Sequence, residues 1–129
     1  MIYITGSSGF IGKSVLQELR DKKVRFKKVK VRKNLKKDIL FIPKKKINIQ
    51  NNILIHLGWG KMEDPWSSYH LTNNYNNSIK LFRSAKTNLF DKVIFCGSMN
   101  EYGNKYGPLN EDMKPGKIET LYAKSKYKL

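Results

Sequence analysis

The sequence has little cysteine and no long apolar run, and each shortage excludes a class of protein. Cys96 is the one cysteine in 129 residues, so no internal disulfide can form, in agreement with a reducing compartment. Because it ends the apolar run 93–95, we expect Cys96 to be a small buried side chain, with a catalytic thiol as the minor alternative. No apolar stretch is long enough to span a bilayer, and Met1 leads directly into strand residues rather than a signal peptide. We therefore expect a cytoplasmic protein without membrane contact.

Acidic residues are scarce as well, with 10 against 26 basic ones and a formal net charge of +16. This excess alone does not indicate a nucleic-acid partner, because 22 of the basic residues are lysine and only 4 are arginine. Richness in lysine, asparagine and isoleucine is what an AT-rich coding sequence produces, whereas proteins that read nucleic acid more often use arginine. The chain is also of a length that forms one domain, residues 1–129, with a single core.

Three of the nine glycines stand together near the start of the chain. An apolar run over residues 1–5 is followed by Gly6, Gly9 and Gly12 at the spacing G-x-x-G-x-x-G, and then by a helical pattern. A strand, a glycine turn and a helix in this order predict a dinucleotide-binding βα unit. Gly6 permits the turn, Gly9 lets the backbone approach a pyrophosphate, and Gly12 lets helix and strand pack closely, while the helix N-terminus favours phosphate. Further candidate cofactor contacts in the same turn are Ser8, Phe10 and Ile11.

The rest of the chain alternates predicted strands and helices, which indicates an α/β fold with a Rossmann-like, doubly wound parallel sheet. Strands are predicted at residues 24–31, 39–42, 53–57 and 93–96, and the last two have the continuous apolar pattern of buried parallel strands. A long helix is predicted over residues 66–88, and a final one over 120–129 with Thr120 as its candidate N-cap. Residues 104–117 are rich in glycine and proline and are expected to form a loop.

A second motif lies in the last predicted helix, where Tyr122 and Lys126 are four residues apart and so share one face. A cation beside a phenol stabilises its ionised form, which prepares a tyrosine to exchange a proton near neutral pH. Ser98, at the end of a predicted strand, could then bond a substrate oxygen beside that tyrosine. A tyrosine and lysine at this spacing also occur by chance on exposed helices, but chance is a poor explanation when the glycine turn and the strand-end serine are present too.

Together these motifs resemble the extended short-chain dehydrogenase/reductase family, which contains the NAD-dependent nucleotide-sugar epimerases, reductases and dehydratases. The matching positions run in the family's order through residues 5–12, 56–60, Asn74, 97–103, Glu111, Tyr122 and Lys126. The resemblance implies that Tyr122 is the general acid/base and that Lys126 assists it and holds the nicotinamide ribose. Ser98 would polarise the substrate oxygen, and Asn74 would support the proton relay. His56 would be structural, and the resemblance adds cofactor contacts at Leu57, Gly58 and Trp59.

The resemblance also limits which type of reaction is expected. Dehydratases and decarboxylases of the family carry an acid two positions after the catalytic serine or threonine, whereas Met99 and Asn100 follow Ser98 here. Oxidation and reduction at a sugar carbon are therefore favoured, by a 4-ketoreductase or 4-epimerase acting on a nucleotide sugar.

The choice of cofactor depends on the second predicted strand. Family members that prefer NAD carry an acid near its end, whereas this chain has Arg32 and Lys33, which suit the 2′-phosphate of NADP. NADP is therefore preferred slightly over NAD. Fifteen basic residues between Lys13 and Lys46 would attract an anionic nucleotide, although a solvated lysine-rich surface explains them equally well.

Family members are considerably longer and continue with further strands and a substrate lobe, whereas this sequence stops three residues after Lys126. We expect an incomplete Rossmann domain: a fragment, a natural truncation or half of a split enzyme, with a homodimer of the full-length form left open.

Two other functions compete with an oxidoreductase. One is a non-catalytic NAD(P)-binding module, against which Ser98, Tyr122 and Lys126 argue together. The other is a basic nucleic-acid-binding protein, for which helix-turn-helix, RNP and zinc patterns are missing.

Overall fold

A computed structural model describes residues 1–29, 52–87 and 90–129 of the chain. The chain divides into two compact units, of which the first comprises Met1–Gly58 and Lys80–Cys96 and the second Trp59–Ile79 and Gly97–Leu129. Arg32, Lys33 and the strand predicted at residues 39–42 lie outside the described residues.

The first unit contains a sheet of four parallel strands: β1 (Ile2–Thr5), β2 (Phe26–Val29), β3 (Ile53–His56) and β4 (Lys92–Phe95). Among the described residues their order is β2-β1-β3-β4, and β1 pairs with β3 so that Tyr3 lies opposite Leu54. The order reverses at β1, because β2 lies on one side and β3 on the other. This arrangement confirms the predicted α/β, Rossmann-like fold, in which ligands bind at the carboxyl ends of the strands where the order reverses.

The helices are α1 (Phe10–Asp21), a π-helix (His70–Tyr75) that leads into α2 (Asn76–Thr87), a short 3₁₀ helix (Met99–Tyr102) and α3 (Leu121–Tyr127). The helix predicted over residues 66–88 thus begins later than the pattern indicated. The Asp64 carboxylate accepts a hydrogen bond from the Trp66 backbone N–H at 3.0 Å, a local turn that competes with a helix. For α3 the prediction is confirmed, since the Thr120 side chain caps the helix by accepting from the Ala123 N–H at 3.1 Å.

The core of the first unit lies between the sheet and one face of α2. Leu81 and Ala85, four residues apart on α2, are buried in one cluster with Tyr3 and Leu54. Phe90 packs its ring edge-to-face against Tyr3 with the centroids 5.1 Å apart. Full burial of a large apolar side chain such as Leu54 or Leu81 contributes roughly 1.5–3 kcal/mol to stability.

Strand β4 departs from the prediction that residues 93–96 are buried. Val93 and Ile94 keep 40% and 44% of their surface exposed, and Cys96 is only partly buried. The physical reason is position: β4 is an outer strand of the described sheet, whereas an apolar run is fully buried only where other elements cover both faces. Among the residues that the structure describes, no helix is both long and apolar enough to cross a membrane.

Candidate active site

Two of the three motif glycines in the first unit are required by the fold. Gly6 follows β1 with a φ of +67°, in the left-handed region, and a Cβ there would lie 2.5 Å from the backbone nitrogen of Gly58. Gly12, in the first turn of α1, would overlap the Gly6 carbonyl oxygen if it carried a Cβ. The end of β1, the loop after β3 and the start of α1 therefore approach one another so closely that side chains are excluded.

Gly9 is different, because nothing among the residues that the structure describes requires a glycine there. Its φ of −75° and ψ of 176° suit any residue, and the nearest atom to a Cβ would be the Gly6 oxygen at 3.4 Å, an ordinary contact. Gly9 is the N-cap of α1, and no side chain of residues 1–29, 52–87 or 90–129 caps this helix. Within those residues the N–H groups of its first turn have no side-chain acceptor, which is the arrangement that suits an anion at a helix N-terminus. The neighbouring Ser8, Phe10 and Ile11 are exposed, Phe10 to 91%.

Thr5, the last residue of β1, fixes the loop that follows β3. Its hydroxyl oxygen accepts from the backbone N–H groups of Leu57 at 3.2 Å and Gly58 at 3.1 Å, and lies 2.6 Å from Nδ1 of His56. Because the two N–H donors occupy both lone pairs, the hydroxyl proton is directed at Nδ1. This network assigns His56 the tautomer with its proton on Nε2. His56 is 3% exposed, in agreement with the structural role expected of it.

The second unit brings Tyr122 and Lys126 of α3 against the aromatic loop residue Trp59. The Lys126 ammonium nitrogen lies 3.8 Å from the centre of the Trp59 ring, a cation–π contact, and Lys126 is only 7% exposed. The Tyr122 ring meets Trp59 edge-on at 6.4 Å and His70 at 5.3 Å between centroids. A hydrogen bond of 2.9 Å from the Tyr122 N–H to the Pro65 carbonyl ties the start of α3 to this loop.

Trp59 is itself held by a fully buried histidine. The Trp59 indole N–H donates to Nδ1 of His70 at 3.1 Å, and Nε2 of His70 lies 2.9 Å from the Asp64 carbonyl oxygen. An indole nitrogen can only donate and a carbonyl can only accept, so His70 is assigned as neutral, with its proton on Nε2. His70 has no exposed surface, and its ring is therefore locked between two partners of opposite hydrogen-bonding character.

Asn74 secures the residue that follows Trp59. Its amide nitrogen donates to the Gly60 carbonyl at 2.8 Å, and its amide oxygen accepts from the Gly60 N–H at 3.1 Å. The same amide nitrogen lies 3.2 Å from Nδ1 of His70, four residues earlier in the π-helix. π-Helical turns are rare and occur often at functional sites, and this one sets both side chains against the Trp59–Gly60 loop. A proton relay through Asn74 stays a prediction; the contacts made here hold the loop.

Ser98 lies in the same unit, immediately before the 3₁₀ helix. It is partly buried, and its hydroxyl accepts from the Asn100 N–H at 3.3 Å as the cap of that helix. The sequence thus located Tyr122, Lys126, Trp59 and Asn74, which the structure brings together. It did not single out Thr5 or His70; the signal for His70 was its spacing of four residues from Asn74, which places both on one helix side.

The chain is similar to a known protein family along almost its whole length. The sequence profile of the NAD dependent epimerase/dehydratase family matches residues 2–129. The chain belongs to this family. No curated protein sequence matches it significantly.

Solved structures that share this fold differ in name and in bound ligand. They include MoeE5 in complex with UDP-glucose and NAD, at 22% identity and a TM-score of 0.76. RMD from Pseudomonas aeruginosa, complexed with NADPH, is similar at 22% identity and a TM-score of 0.71. UDP-N-acetylglucosamine 4-epimerase from Bacillus cereus is similar at 19% identity and a TM-score of 0.71. Each likeness covers 98% of this chain but 45% of the other, so the chain spans less than half the length of these structures.

Proposed function

We propose that this chain is the cofactor-binding portion of an NAD(P)-dependent oxidoreductase or epimerase that acts on a nucleotide sugar. Within that class we favour a 4-ketoreductase or 4-epimerase. The observation that carries the proposal is that Tyr122 and the 7%-exposed Lys126, four residues apart on α3, both contact the Trp59 ring in a member of this family. A nucleotide-binding module without chemistry would have no use for this pair.

Binding of the cofactor is assigned to the glycine turn of the first unit. Gly9 leaves space that neither the backbone conformation nor packing explains, and the open N-terminus of α1 offers N–H donors and a partial positive charge to a pyrophosphate. The residues present therefore fit a dinucleotide. We assign the supporting contacts to Ser8, Phe10, Ile11, Leu57 and Gly58 in this unit, to Trp59, Tyr122 and Lys126 in the other, and to Arg32 and Lys33.

Proton transfer is assigned to the second unit. Tyr122 would hold the proton at its phenol oxygen and exchange it with a sugar oxygen, while Lys126 would assist it and hold the nicotinamide ribose. Ser98 would donate its hydroxyl hydrogen to the same sugar oxygen, and Asn74 would keep the Trp59–Gly60 loop in place. The nicotinamide ring, when bound, supplies the hydride acceptor or donor that this chemistry needs.

The substrate class is supported by the relatives, since MoeE5 is named with UDP-glucose and another structure is a UDP-N-acetylglucosamine 4-epimerase. The reaction type follows from Met99 and Asn100, which stand where sugar dehydratases carry an acid. We further propose that residues 1–129 form one incomplete Rossmann domain. A substrate lobe would then have to come from additional chain, so we expect these residues alone to turn over no sugar nucleotide.

Cofactor binding is tested by titration calorimetry on the 129-residue chain. The parent should bind NAD(P), and Gly9→Val should lose binding, because the branched side chain fills the space that a phosphate would enter. Gly9→Ala serves as the folding control for this position. Equal affinity of the parent and the Val variant would remove the glycine turn as the cofactor site.

Catalysis is tested in a chain continued to family length. Tyr122→Phe should abolish reduction or epimerisation of the sugar nucleotide while cofactor affinity stays nearly unchanged, because only the phenol oxygen is removed. Substantial turnover by the Phe variant would exclude Tyr122 as the general acid/base. Turnover by the 129-residue chain would separately contradict the expectation that a lobe is required.

A further inference from the structure

Trp59 contacts Lys126 and His70 through two different parts of its ring system. Its π-face receives the Lys126 ammonium at 3.8 Å, while its N–H edge is bonded to His70 at 3.1 Å. An indole that is free to rotate presents its face in many directions, but one whose edge is hydrogen-bonded presents it in one. The orientation of the indole therefore depends on an acceptor at the position of Nδ1 of His70.

That acceptor is well defined. His70 is fully buried, and the Asp64 carbonyl binds Nε2, so the proton is retained on Nε2 and Nδ1 is left bare. Two donors converge on Nδ1, the Trp59 indole at 3.1 Å and the Asn74 amide at 3.2 Å. A second tautomer would direct a proton at both of them. The ring is thus fixed in position and in tautomer by its hydrogen-bond partners.

We propose that His70 is a positioning residue of this site, which orients the Trp59 indole so that its face holds the Lys126 ammonium beside Tyr122. The inference deepens the proposed function, on which it rests for the use made of Lys126. His70 acts through Trp59, and its contact with the Tyr122 ring supplies packing on the same side. Removing the Nδ1 acceptor should release the indole, and with it the lysine, even if the protein stays folded.

Two substitutions separate this role from simple filling of a buried space. In His70→Asn the side-chain oxygen takes the place of Nδ1 and can accept from Trp59, but the bond to the Asp64 carbonyl is lost. In His70→Gln the amide nitrogen takes the place of Nε2 and can donate to Asp64, but no acceptor faces the indole. Glutamine also fills more of the volume of the imidazole. A structural role therefore favours Gln, whereas the positioning role favours Asn.

The readout is the ring-current shift of the lysine side chain. In the 129-residue protein made with ¹³C-labelled lysine, the ε-methylene protons of Lys126 should resonate well upfield of the other lysines, because the ε-carbon is bonded to an ammonium nitrogen that lies 3.8 Å from the centre of the Trp59 ring. Lys126→Arg identifies the signal by its disappearance. His70→Asn should keep more than half of the upfield displacement, and His70→Gln should lose more than half. An unshifted Lys126 in the parent, or retention by Gln as good as by Asn, would overturn the proposal.

A measurement on the unsubstituted protein keeps the test decisive if either variant fails to fold. The Trp59 indole N–H proton is hydrogen-bonded to a buried histidine, whereas Trp66 is 59% exposed. The Trp59 proton should therefore exchange with solvent much more slowly than the indole proton of Trp66. Equal exchange rates would contradict the fixed indole. Neither measurement needs cofactor or turnover, so failure of the proposed enzyme activity is recognised separately in the calorimetric and kinetic assays.

Discussion

Gly12→Ala provides the sharpest test of why the glycines are spaced as they are. A Cβ at this position overlaps the Gly6 oxygen and lies 2.8 Å from Cα of Ser7 and 2.9 Å from the Gly6 carbonyl carbon. All three are backbone atoms, so relief requires the turn to move rather than a side chain to rotate. Overpacking of this kind costs up to about 3 kcal/mol. Alanine within a helix recovers about 1 kcal/mol relative to glycine, which leaves a net loss of about 2 kcal/mol.

The matched control is Gly9→Ala, three residues earlier in the same turn. Its Cβ meets the Gly6 oxygen at an ordinary 3.4 Å, and φ is −75°. The lower entropy of the unfolded chain offsets the small loss at the N-cap, so stability should stay within about 0.5 kcal/mol of the parent.

Both variants are compared with the parent by urea unfolding followed by far-ultraviolet circular dichroism. Gly12→Ala should lower the midpoint at an unchanged slope, and its melting temperature should fall by roughly 8 °C. The unfolding curve of Gly9→Ala should superimpose on that of the parent, and its affinity for NAD(P) should not exceed the parent's. If the two alanine variants are equally stable, the close approach of α1 to the β1 turn is not what requires glycine at position 12, and the assignment of different roles to the two glycines fails.

Two further predictions concern the cofactor and the strand-end threonine. NADP should bind more tightly than NAD at fixed salt, and Arg32→Ala should remove the difference; a preference for NAD, or one that Arg32→Ala leaves intact, would show that these cations do not meet a 2′-phosphate. Thr5→Val should destabilise the protein by about 3 kcal/mol in urea unfolding, because the N–H groups of Leu57 and Gly58 and Nδ1 of His56 lose one shared partner. Thr5→Ser keeps the hydroxyl and should recover most of that loss, so equal stabilities of the Val and Ser variants would refute the hydrogen-bonding role.

The predictions that held are those that depend on neighbouring residues. The glycine spacing after β1 and the Thr120 cap are local signals, and contacts between residues close in sequence decided both, although Gly6 also meets the loop after β3. Predictions about burial failed where distant chain decides the outcome. Val93 and Ile94 belong to an apolar run typical of a strand buried on both faces. The sequence of a strand does not specify which other elements pack against it. The start of the helix at His70 was missed because a polar side chain, Asp64, redirects the backbone before it.

The candidate site shows the same division. The spacing of Tyr122 and Lys126 predicts a shared helix face, and the structure agrees. The partner of that face depends on long-range packing, because no local sequence pattern predicts the contact between Lys126 and Trp59. His70 was overlooked for a further reason: a buried histidine looks the same in sequence whether it fills space or orients a neighbour. Only its two hydrogen bonds, to a pure donor and a pure acceptor, distinguish the cases.

The π-helical turn changes which side of its helix the residues of the second unit present. Among the described residues 70–79 of that unit, the buried positions are His70, Asn74 and Ser78. They are four residues apart, and every such step would carry the line of an α-helix about 40° around its axis. The wider π turn absorbs the first of these advances, so His70 and Asn74 both face the Trp59–Gly60 loop. The segment is consequently sensitive to length more than to composition: loss or gain of one residue between His70 and Tyr75 would turn the histidine away while every side chain remained in the sequence.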